Sequence, residues 1–460
     1  MMNALKKGTT PLVDDAFFRE LRKNEYSVLD DQNQTYLDYT GGNLYARSQI
    51  LNHQKMLLET VFGNPHSTNP TSQMSGNLID ATRKKILEFF NAYDYTCVFT
   101  QNASAALKIV GESYPFNETS TFLILSDDHN SVNGIREYCN NKKGITQYVP
   151  VNYEDLQIND EFLLAQFEKF PKGNNNLFAY PAQSNVSGVK HDLKWIEYAQ
   201  KKGFDVLLDA AAYVPSSKLD LSNIKPDFVA LSFYKMFGYP TGVGALLIKN
   251  SSFFKLKKPW FAGGTVTAVS VVSQDKFLAN GHERFEDGTL NYTNIPAVKI
   301  GIEYIESIGI DRITKRVRSL IQYLLGELGM LCHDNGKQIT KIFGTKDLEH
   351  RGGNVIMNFF DVNGKAYPFE IIEDMAGKQL ISIRSGCFCN PGIDEINNCL
   401  TSEEISKFFI SRDKGDYRDM INFLGKMRGA IRVSVGIATV KHDLDKFIRL
   451  IATLKNKEYI

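Results

Sequence analysis

Short runs of β-branched and aliphatic residues alternate with stretches of helical length through the middle of the chain. The apolar runs cover residues 97–100, 121–126, 177–181, 206–209, 228–232 and 244–248. Amphipathic patterns of helical period lie between them, for example over residues 105–114 and 193–202. This alternation predicts an α/β domain with a mostly parallel sheet. The last apolar run follows its predecessor with no room for a crossover helix, so we expect that strand to be antiparallel.

The pattern changes near residue 294. Residues 295–308 and 312–328 are typical of amphipathic helices, a mixed region follows, and residues 441–455 form a final helical pattern. This arrangement predicts a second, smaller α+β domain. We expect residues 1–52 to pack with it. The predicted division is therefore a large domain of residues 53–293 and a small domain of residues 1–52 and 294–460.

Composition narrows the class of protein. The chain has 460 residues, 43% of them hydrophobic, with 53 Lys and Arg against 52 Asp and Glu. A dedicated nucleic-acid-binding protein usually has a basic surplus, so we expect no nucleic-acid partner. No signal-peptide pattern and no apolar run long enough to cross a bilayer are visible, and six cysteines are too few for a disulfide scaffold. We therefore expect a cytoplasmic protein with no membrane partner.

Polar clusters follow the predicted strands at their carboxyl ends. The clusters are residues 101–104, 126–131, 183–185, Asp209 and residues 232–235. In open α/β sheets the ligand lies outside the carboxyl ends of the strands, so five such clusters in succession predict one shared site. Each cluster taken singly could be an ordinary loop.

Two residues of these clusters have unusual surroundings. Asp209 lies between aliphatic and alanine residues, where a carboxylate needs a cation or a strong donor. Lys235 lies among Phe, Tyr and Met, and a desolvated lysine suits Schiff-base chemistry. A snorkelling surface lysine is the alternative. The acid one strand before the lysine favours pyridoxal 5'-phosphate, with Asp209 on the pyridine nitrogen and the Asn102-Ala103-Ser104 helix start on the phosphate.

Other cofactor motifs are not found. Gly242-Val243-Gly244 leads into a strand rather than a helix, and no Walker-type loop is present. Neither the cysteines nor the eight histidines form a second ligand pair at zinc-finger spacing, so we expect no metal. Cys387 and Cys389 lie among turn-forming residues, so at least one of these thiols is expected on a loop.

Several motifs together resemble a known family. They are Tyr36-Leu37-Asp38, Gly63-Asn64-Pro65-His66-Ser67, His129-Asn130-Ser131-Val132, residues 180–185, residues 209–215, residues 232–242, residues 285–289, residues 384–392 and Arg432-Val433-Ser434. In this order they closely resemble the N-terminal domain of molybdenum-cofactor sulfurases. Those proteins belong to the class V aminotransferase group, which also holds cysteine desulfurases and selenocysteine lyases. The resemblance implies fold type I of pyridoxal-phosphate-dependent transferases, with a seven-stranded, mostly parallel sheet.

The resemblance also implies roles for individual residues. Lys235 would form the Schiff base, Asp209 would keep the pyridine nitrogen protonated, and His129 would stack on the ring. The phosphate would bind to Ala103, Ser104 and Ser232, with Gly288 and Thr289 reaching it from the partner of a homodimer. Arg432 would bind the substrate carboxylate, and Asn185 would contact that carboxylate or the ring oxygen. Cys389 would be the nucleophile that takes sulfur from L-cysteine, with Arg384 as a nearby cation.

The sequence departs from the desulfurase pattern at three places and leaves alternatives open. Ala212 and Tyr234 stand where many desulfurases have Gln and His, and residues 39–42 are untypical of the N-terminal turn. Another C–S or C–Se lyase, a transaminase or a decarboxylase would share the fold. A non-catalytic scaffold, or a zinc- or iron-binding protein using Cys387, Cys389 and Cys399, is a different class. The acceptor of the sulfur and the role of Cys387 stay open.

Overall fold

The computed structural model describes residues 12–170, 175–426 and 428–459. The helices are α1 Asp15–Glu25, α2 Val28–Asp31, α3 Arg47–Glu59, α4 Pro70–Phe89, α5 Ala103–Ser113, α6 Asn130–Asn133, α7 Ile135–Asn141, α8 Asp160–Lys169, α9 Lys194–Lys201, α10 Phe233–Phe237, α11 Ile295–Ile308, α12 Ile310–Gly329, α13 Phe369–Gly377, α14 Pro391–Asn397, α15 Ser402–Ile410, α16 Tyr417–Leu424 and α17 Lys441–Ala452. The strands are β1 Thr35–Tyr36, β2 Tyr95–Thr100, β3 Thr121–Leu125, β4 Ile145–Val149, β5 Asn176–Pro181, β6 Phe204–Asp209, β7 Phe228–Ser232, β8 Gly244–Lys249, β9 Val266–Val269, β10 Lys276–Leu278, β11 Thr340–Phe343, β12 Asn354–Phe359, β13 Ile381–Ser382, β14 Arg384–Gly386 and β15 Ala430–Ser434.

A seven-stranded sheet forms the centre of the protein, with the strand order β2-β8-β7-β6-β5-β3-β4. Strand β8 is antiparallel to both of its neighbours, and the other pairs are parallel. The predicted mostly parallel sheet and its one antiparallel strand are therefore confirmed. The prediction missed β4, an edge strand of mixed polar and apolar residues that is half exposed and so lacks an apolar run.

A second, antiparallel sheet has the order β11-β12-β15-β14. The N-terminal segment packs against this part of the chain through buried arginines. Arg22 donates to Asp443 over 2.6 Å, and Arg316 donates to Asp15 over 3.0 Å. Residues 1–11, 427 and 460 lie outside the described residues. The grouping of residues 1–52 with residues 294–460, with boundaries at residues 53 and 294, stays a prediction.

Packing of aromatic side chains places the loop that follows β7. Phe233 and Phe237 of α10 are buried and stack on each other with 6.1 Å between ring centroids. Helix α11 lies directly against them, because a Cβ at Gly301 would collide with the Phe237 ring. The short helix α10, which carries Lys235, is thereby fixed at the carboxyl edge of the central sheet.

Candidate functional site

The carboxyl ends of the parallel strands surround one cavity of about 650 Å³, its open mouth included. Asp209 ends β6, and Lys235 follows the neighbouring strand β7. The cavity is also lined by Asn102, Ala103, Ser104, His129, Ser131, Gln183, Asn185, Ser232 and Tyr234. The five polar clusters therefore meet at one edge of the sheet, as parallel strand order requires.

The ammonium group of Lys235 is held in a poorly solvated position. Burial lowers its pKa, the Asp209 carboxylate partly offsets this effect, and the cations of Arg432 and Arg384 add to the lowering. A lysine whose pKa is lowered in this way loses its proton more readily than a solvated lysine, which suits a nucleophile or a base. The neighbouring residues Phe233 and Met236 are buried, which explains the low solvation.

Two carboxyl groups at this edge have different surroundings. The Asp209 Oδ1 atom accepts a hydrogen bond from the Ala211 backbone N–H over 2.9 Å. Asp128 is fully buried, and burial raises its pKa well above the usual range, with further contributions from the charges of Asp209 and Asp127. The neutral form of Asp128 is therefore favoured, and Asp209 is the carboxylate that faces the cavity.

The ring of His129 has a defined tautomer. Its Nδ1 atom accepts a hydrogen bond from the Ser131 backbone N–H over 3.1 Å, so the proton of a neutral ring lies on Nε2. Burial lowers the pKa of His129, the Asp209 carboxylate raises it, and the Lys235 ammonium lowers it further. The net lowering favours a neutral imidazole at the cavity wall.

The start of helix α5 brings backbone N–H groups and hydroxyls to one end of the cavity. Asn102 caps the helix by accepting from the Ala105 N–H, and the Ala103 N–H donates to the Ser232 hydroxyl over 2.8 Å. The Ser104 hydroxyl lies 2.6 Å from that of Ser131. Gly244 has no Cβ here because a Cβ would lie 2.7 Å from the Asn102 backbone. Backbone N–H groups and three hydroxyls thus converge at one helix N-terminus.

Asp38 joins Arg432, the predicted ligand of the substrate carboxylate, to Arg384, the predicted cation near Cys389. Its Oδ1 atom accepts from Arg432 over 2.7 Å, and its Oδ2 atom accepts from Arg384 over 2.7 Å. Arg432 is buried and also donates to the Asn185 carbonyl over 2.8 Å. The resemblance marked Asp38 only as part of a matching motif, and no local signal connects it with an arginine almost 400 positions away.

The loop that carries Cys389 lies against the same cavity. The Asn130 N–H donates to the Cys389 carbonyl over 2.7 Å, and the Asn185 side chain donates to the Phe388 carbonyl over 2.9 Å. The Cys389 side chain is exposed, whereas Cys387 is partly buried and burial raises the pKa of its thiol. Of the two thiols on this loop, Cys389 is the accessible one.

Gly288 and Thr289 do not line the cavity that contains Lys235. Thr289 is exposed and borders a separate groove together with Gln101, Lys108 and Asp287. Within one chain, these two residues are therefore set apart from the other predicted phosphate-binding residues.

The described residues contain neither a metal-binding cluster nor a membrane-spanning helix. No group of three or more His, Cys, Asp and Glu side chains there is arranged to hold a metal ion. The alternative of a metal site at Cys387, Cys389 and Cys399 gains no support from them. None of the helices in the described parts of the chain is both long and apolar enough to span a membrane.

Residues 35–447 match the sequence model of a family described as aminotransferase class-V. The molybdenum cofactor sulfurase of Homo sapiens is 34% identical to this chain, over 94% of the chain and 51% of the human protein. The chain thus spans about half the length of that relative. A cysteine desulfurase from Thermococcus onnurineus has a TM-score of 0.77 at 23% identity, covering 95% of this chain and 97% of that one. A C-DES mutant with glycine linked to its PLP cofactor has a TM-score of 0.70 at 17% identity, covering 94% of this chain and 98% of that one. At these identities the two structures show a shared fold.

Proposed function

The chain belongs to the aminotransferase class-V family and has fold type I of pyridoxal-phosphate enzymes, and from this we propose that it is a pyridoxal 5'-phosphate-dependent cysteine desulfurase. It would convert L-cysteine to L-alanine and hold the sulfur as a persulfide on Cys389. One observation carries the proposal. An accessible thiol lies on a loop that is hydrogen-bonded to the wall of the cavity containing Lys235 and Asp209.

The donor set of the cavity fits pyridoxal phosphate. Lys235, with its lowered pKa, offers the amine for the covalent link, and Asp209 offers a carboxylate for the protonated ring nitrogen. His129 offers a neutral ring for stacking. The start of α5, with Ser104 and Ser232, offers N–H and hydroxyl groups for the phosphate. When bound, the cofactor supplies an electron sink for bonds broken at the α-carbon of the substrate.

Three residues of the chain would then carry out separate parts of the reaction. Arg432 binds the substrate carboxylate, as a buried guanidinium can do with two parallel hydrogen bonds. Lys235 moves the α-proton, because burial lowers the pKa of its amine and so eases the loss of its own proton. The Cys389 thiolate attacks the substrate sulfur, and an S–S bond forms as the C–S bond breaks. The electron pair of the broken bond stays with carbon, which takes up a proton to give alanine.

A pair of cysteine variants tests this proposal. Cys389→Ser should bind cofactor and cysteine normally but yield neither alanine nor persulfide, because a hydroxyl is a poor nucleophile toward sulfur. Cys387→Ser should retain most turnover, since that thiol is less accessible. Alanine, sulfide and persulfide-bearing peptides are measured. Wild-type turnover by Cys389→Ser, or loss of persulfide in Cys387→Ser alone, would contradict the assignment.

The partners belong to the same proposal. We propose a homodimer in which Gly288 and Thr289 complete the phosphate site of the partner, because they lie outside the cavity of their own chain. A monomeric mass in solution with full cofactor occupancy would contradict this.

The persulfide would pass to a protein or small-molecule acceptor that no residue described above identifies. Six free cysteines fit a reducing compartment such as the cytoplasm.

A further inference from the structure

The backbone of the Cys389 loop is strained. Phe388 and Cys389 have φ angles of 57° and 55°, so two successive residues with side chains adopt the left-handed conformation. Such a conformation is unfavourable for L-residues and persists only where surrounding contacts impose it. The position of the Cys389 thiol therefore depends on groups outside the loop.

The strained residues accept hydrogen bonds from Asn130 and Asn185, and the next residue, Asn390, anchors the end of the same segment. Asn390 is fully buried, and its Nδ2 group donates to the Asp127 carboxylate over 2.8 Å and to the side-chain Oδ1 atom of Asn185 over 3.3 Å. Its Oδ1 atom lies 3.4 Å from the Ile393 N–H and caps α14. The Asn390 side chain therefore links both the Cys389 loop and helix α14 to Asp127, which follows the end of β3.

Asp127 is a firm anchor for this contact. Its carboxylate is fully buried and also accepts from the Ser184 hydroxyl over 2.7 Å, while Nε2 of His191 lies 3.1 Å from its second oxygen. A buried carboxylate is costly unless donors satisfy it, so each of these groups is held in place by the others. Hydrogen bonds to a charged, buried acceptor are also stronger than those between neutral groups.

We propose that Asn390 is a positioning residue, which holds the Cys389 thiol at the cavity through its buried hydrogen bond to Asp127. The proposal rests on the function proposed above, in which Cys389 is the nucleophile. Asn185 belongs to the same unit, because its side-chain oxygen accepts from Asn390 and its amide donates to Phe388. Without the Asn390 donor, the strained loop relaxes and the thiol leaves its attacking position.

Asn390→Ser tests the proposal, because serine keeps a cap for α14 but removes the Nδ2 donor. We expect kcat for alanine formation to fall by about tenfold to a hundredfold, the range that corresponds to one lost hydrogen bond to a charged group. The KM for cysteine and the absorption spectrum of the bound cofactor should not change. Hydrogen exchange at the Asn130 and Asn390 backbone amides should become faster, because both donate to carbonyls of the loop.

Asn159→Ser is the matched control. Asn159 also caps a helix, through the Phe162 N–H over 2.9 Å, and also donates to a side-chain oxygen, that of Asn152 over 3.1 Å, but it lies outside the cavity. This variant should keep wild-type kcat and loop exchange. If Asn390→Ser fails to fold, Asn390→Ala takes its place with the same expectations for kcat and loop exchange, since it removes the donors without adding a charge beside the buried Asp127.

Several results would overturn the proposal. They are wild-type kcat in the Asn390 variant, a lower kcat without faster loop exchange, or a lower kcat accompanied by a raised KM or lost cofactor. If the wild-type protein itself makes no alanine from cysteine, the proposed function fails. Hydrogen exchange then decides whether Asn390 holds the loop, and unchanged exchange in Asn390→Ser would refute that part too.

Discussion

Asp38→Asn should destabilise the protein by about 3 kcal/mol. Asp38 is the carboxylate shared by Arg432 and Arg384. The side chain of Asp38 is 11% exposed, that of Arg432 is 3% exposed and that of Arg384 is 51% exposed. Removing one partner of a buried ion pair costs about 3–5 kcal/mol, because the charge of the other partner stays buried without a counter-charge. The half-exposed Arg384 contact adds at most about 1 kcal/mol. The asparagine keeps one oxygen acceptor for the arginines, so the expected loss of stability lies at the lower end of the range of about 3–5 kcal/mol.

The assay is equilibrium unfolding in urea at a fixed, saturating cofactor concentration. All variants are compared at one protein concentration, and a free-energy difference is taken only if fluorescence and circular dichroism give the same transition with an unchanged dependence on urea. Arg384→Gln should cost about 1 kcal/mol, since its side chain is half exposed. Asp374→Asn is the control, because Asp374 pairs with Lys378 on the surface and its loss should cost less than about 0.5 kcal/mol.

The reasoning would be wrong if Asp38→Asn cost no more than Asp374→Asn. Arg432 would then be satisfied by the Asn185 carbonyl alone, and Asp38 would not be needed to neutralise it. An equal loss in Asp38→Asn and Arg384→Gln would also contradict the argument, because it would assign the stability to the exposed contact.

Two further predictions concern the reactive groups. The purified protein should be yellow, and borohydride reduction should leave a phosphopyridoxyl group on Lys235, where burial lowers the pKa of the amine. The cofactor assignment would be refuted if mass spectrometry found the adduct on another lysine or on none. Iodoacetamide should alkylate Cys389 before Cys387, because burial raises the pKa of the Cys387 thiol. The rate at Cys387 should rise by about tenfold per pH unit from pH 7 to 8, as expected for a thiol below its pKa, and equal rates at both sites with no pH dependence would contradict this.

The local pattern of apolar and polar residues was sufficient to predict the helices and strands that depend on neighbouring residues in the chain. Fully buried strands need continuous apolar runs, so β7 was predicted with its observed ends, and so was helix α11. The half-exposed strand β4 lacks such a run and was not predicted. The buried strands β12 and β15 of the small sheet were also not predicted, because polar residues such as Asn358 and Arg432 interrupt their apolar runs. Asp209 and Lys235 were found because each ends or follows a buried strand and carries a charge that burial makes costly.

Contacts between distant parts of the chain could be known only from the tertiary structure. The bond from Asp38 to Arg432 and the bond from Asn390 to Asp127 join residues 394 and 263 positions apart. No periodicity in the sequence encodes which carboxylate meets a buried donor, because that choice follows from strand order and from the packing of side chains. Resemblance identified Arg432 and Cys389 as residues of interest. The folded chain shows that one is neutralised by Asp38 and that the other lies on a strained loop fastened at Asn390.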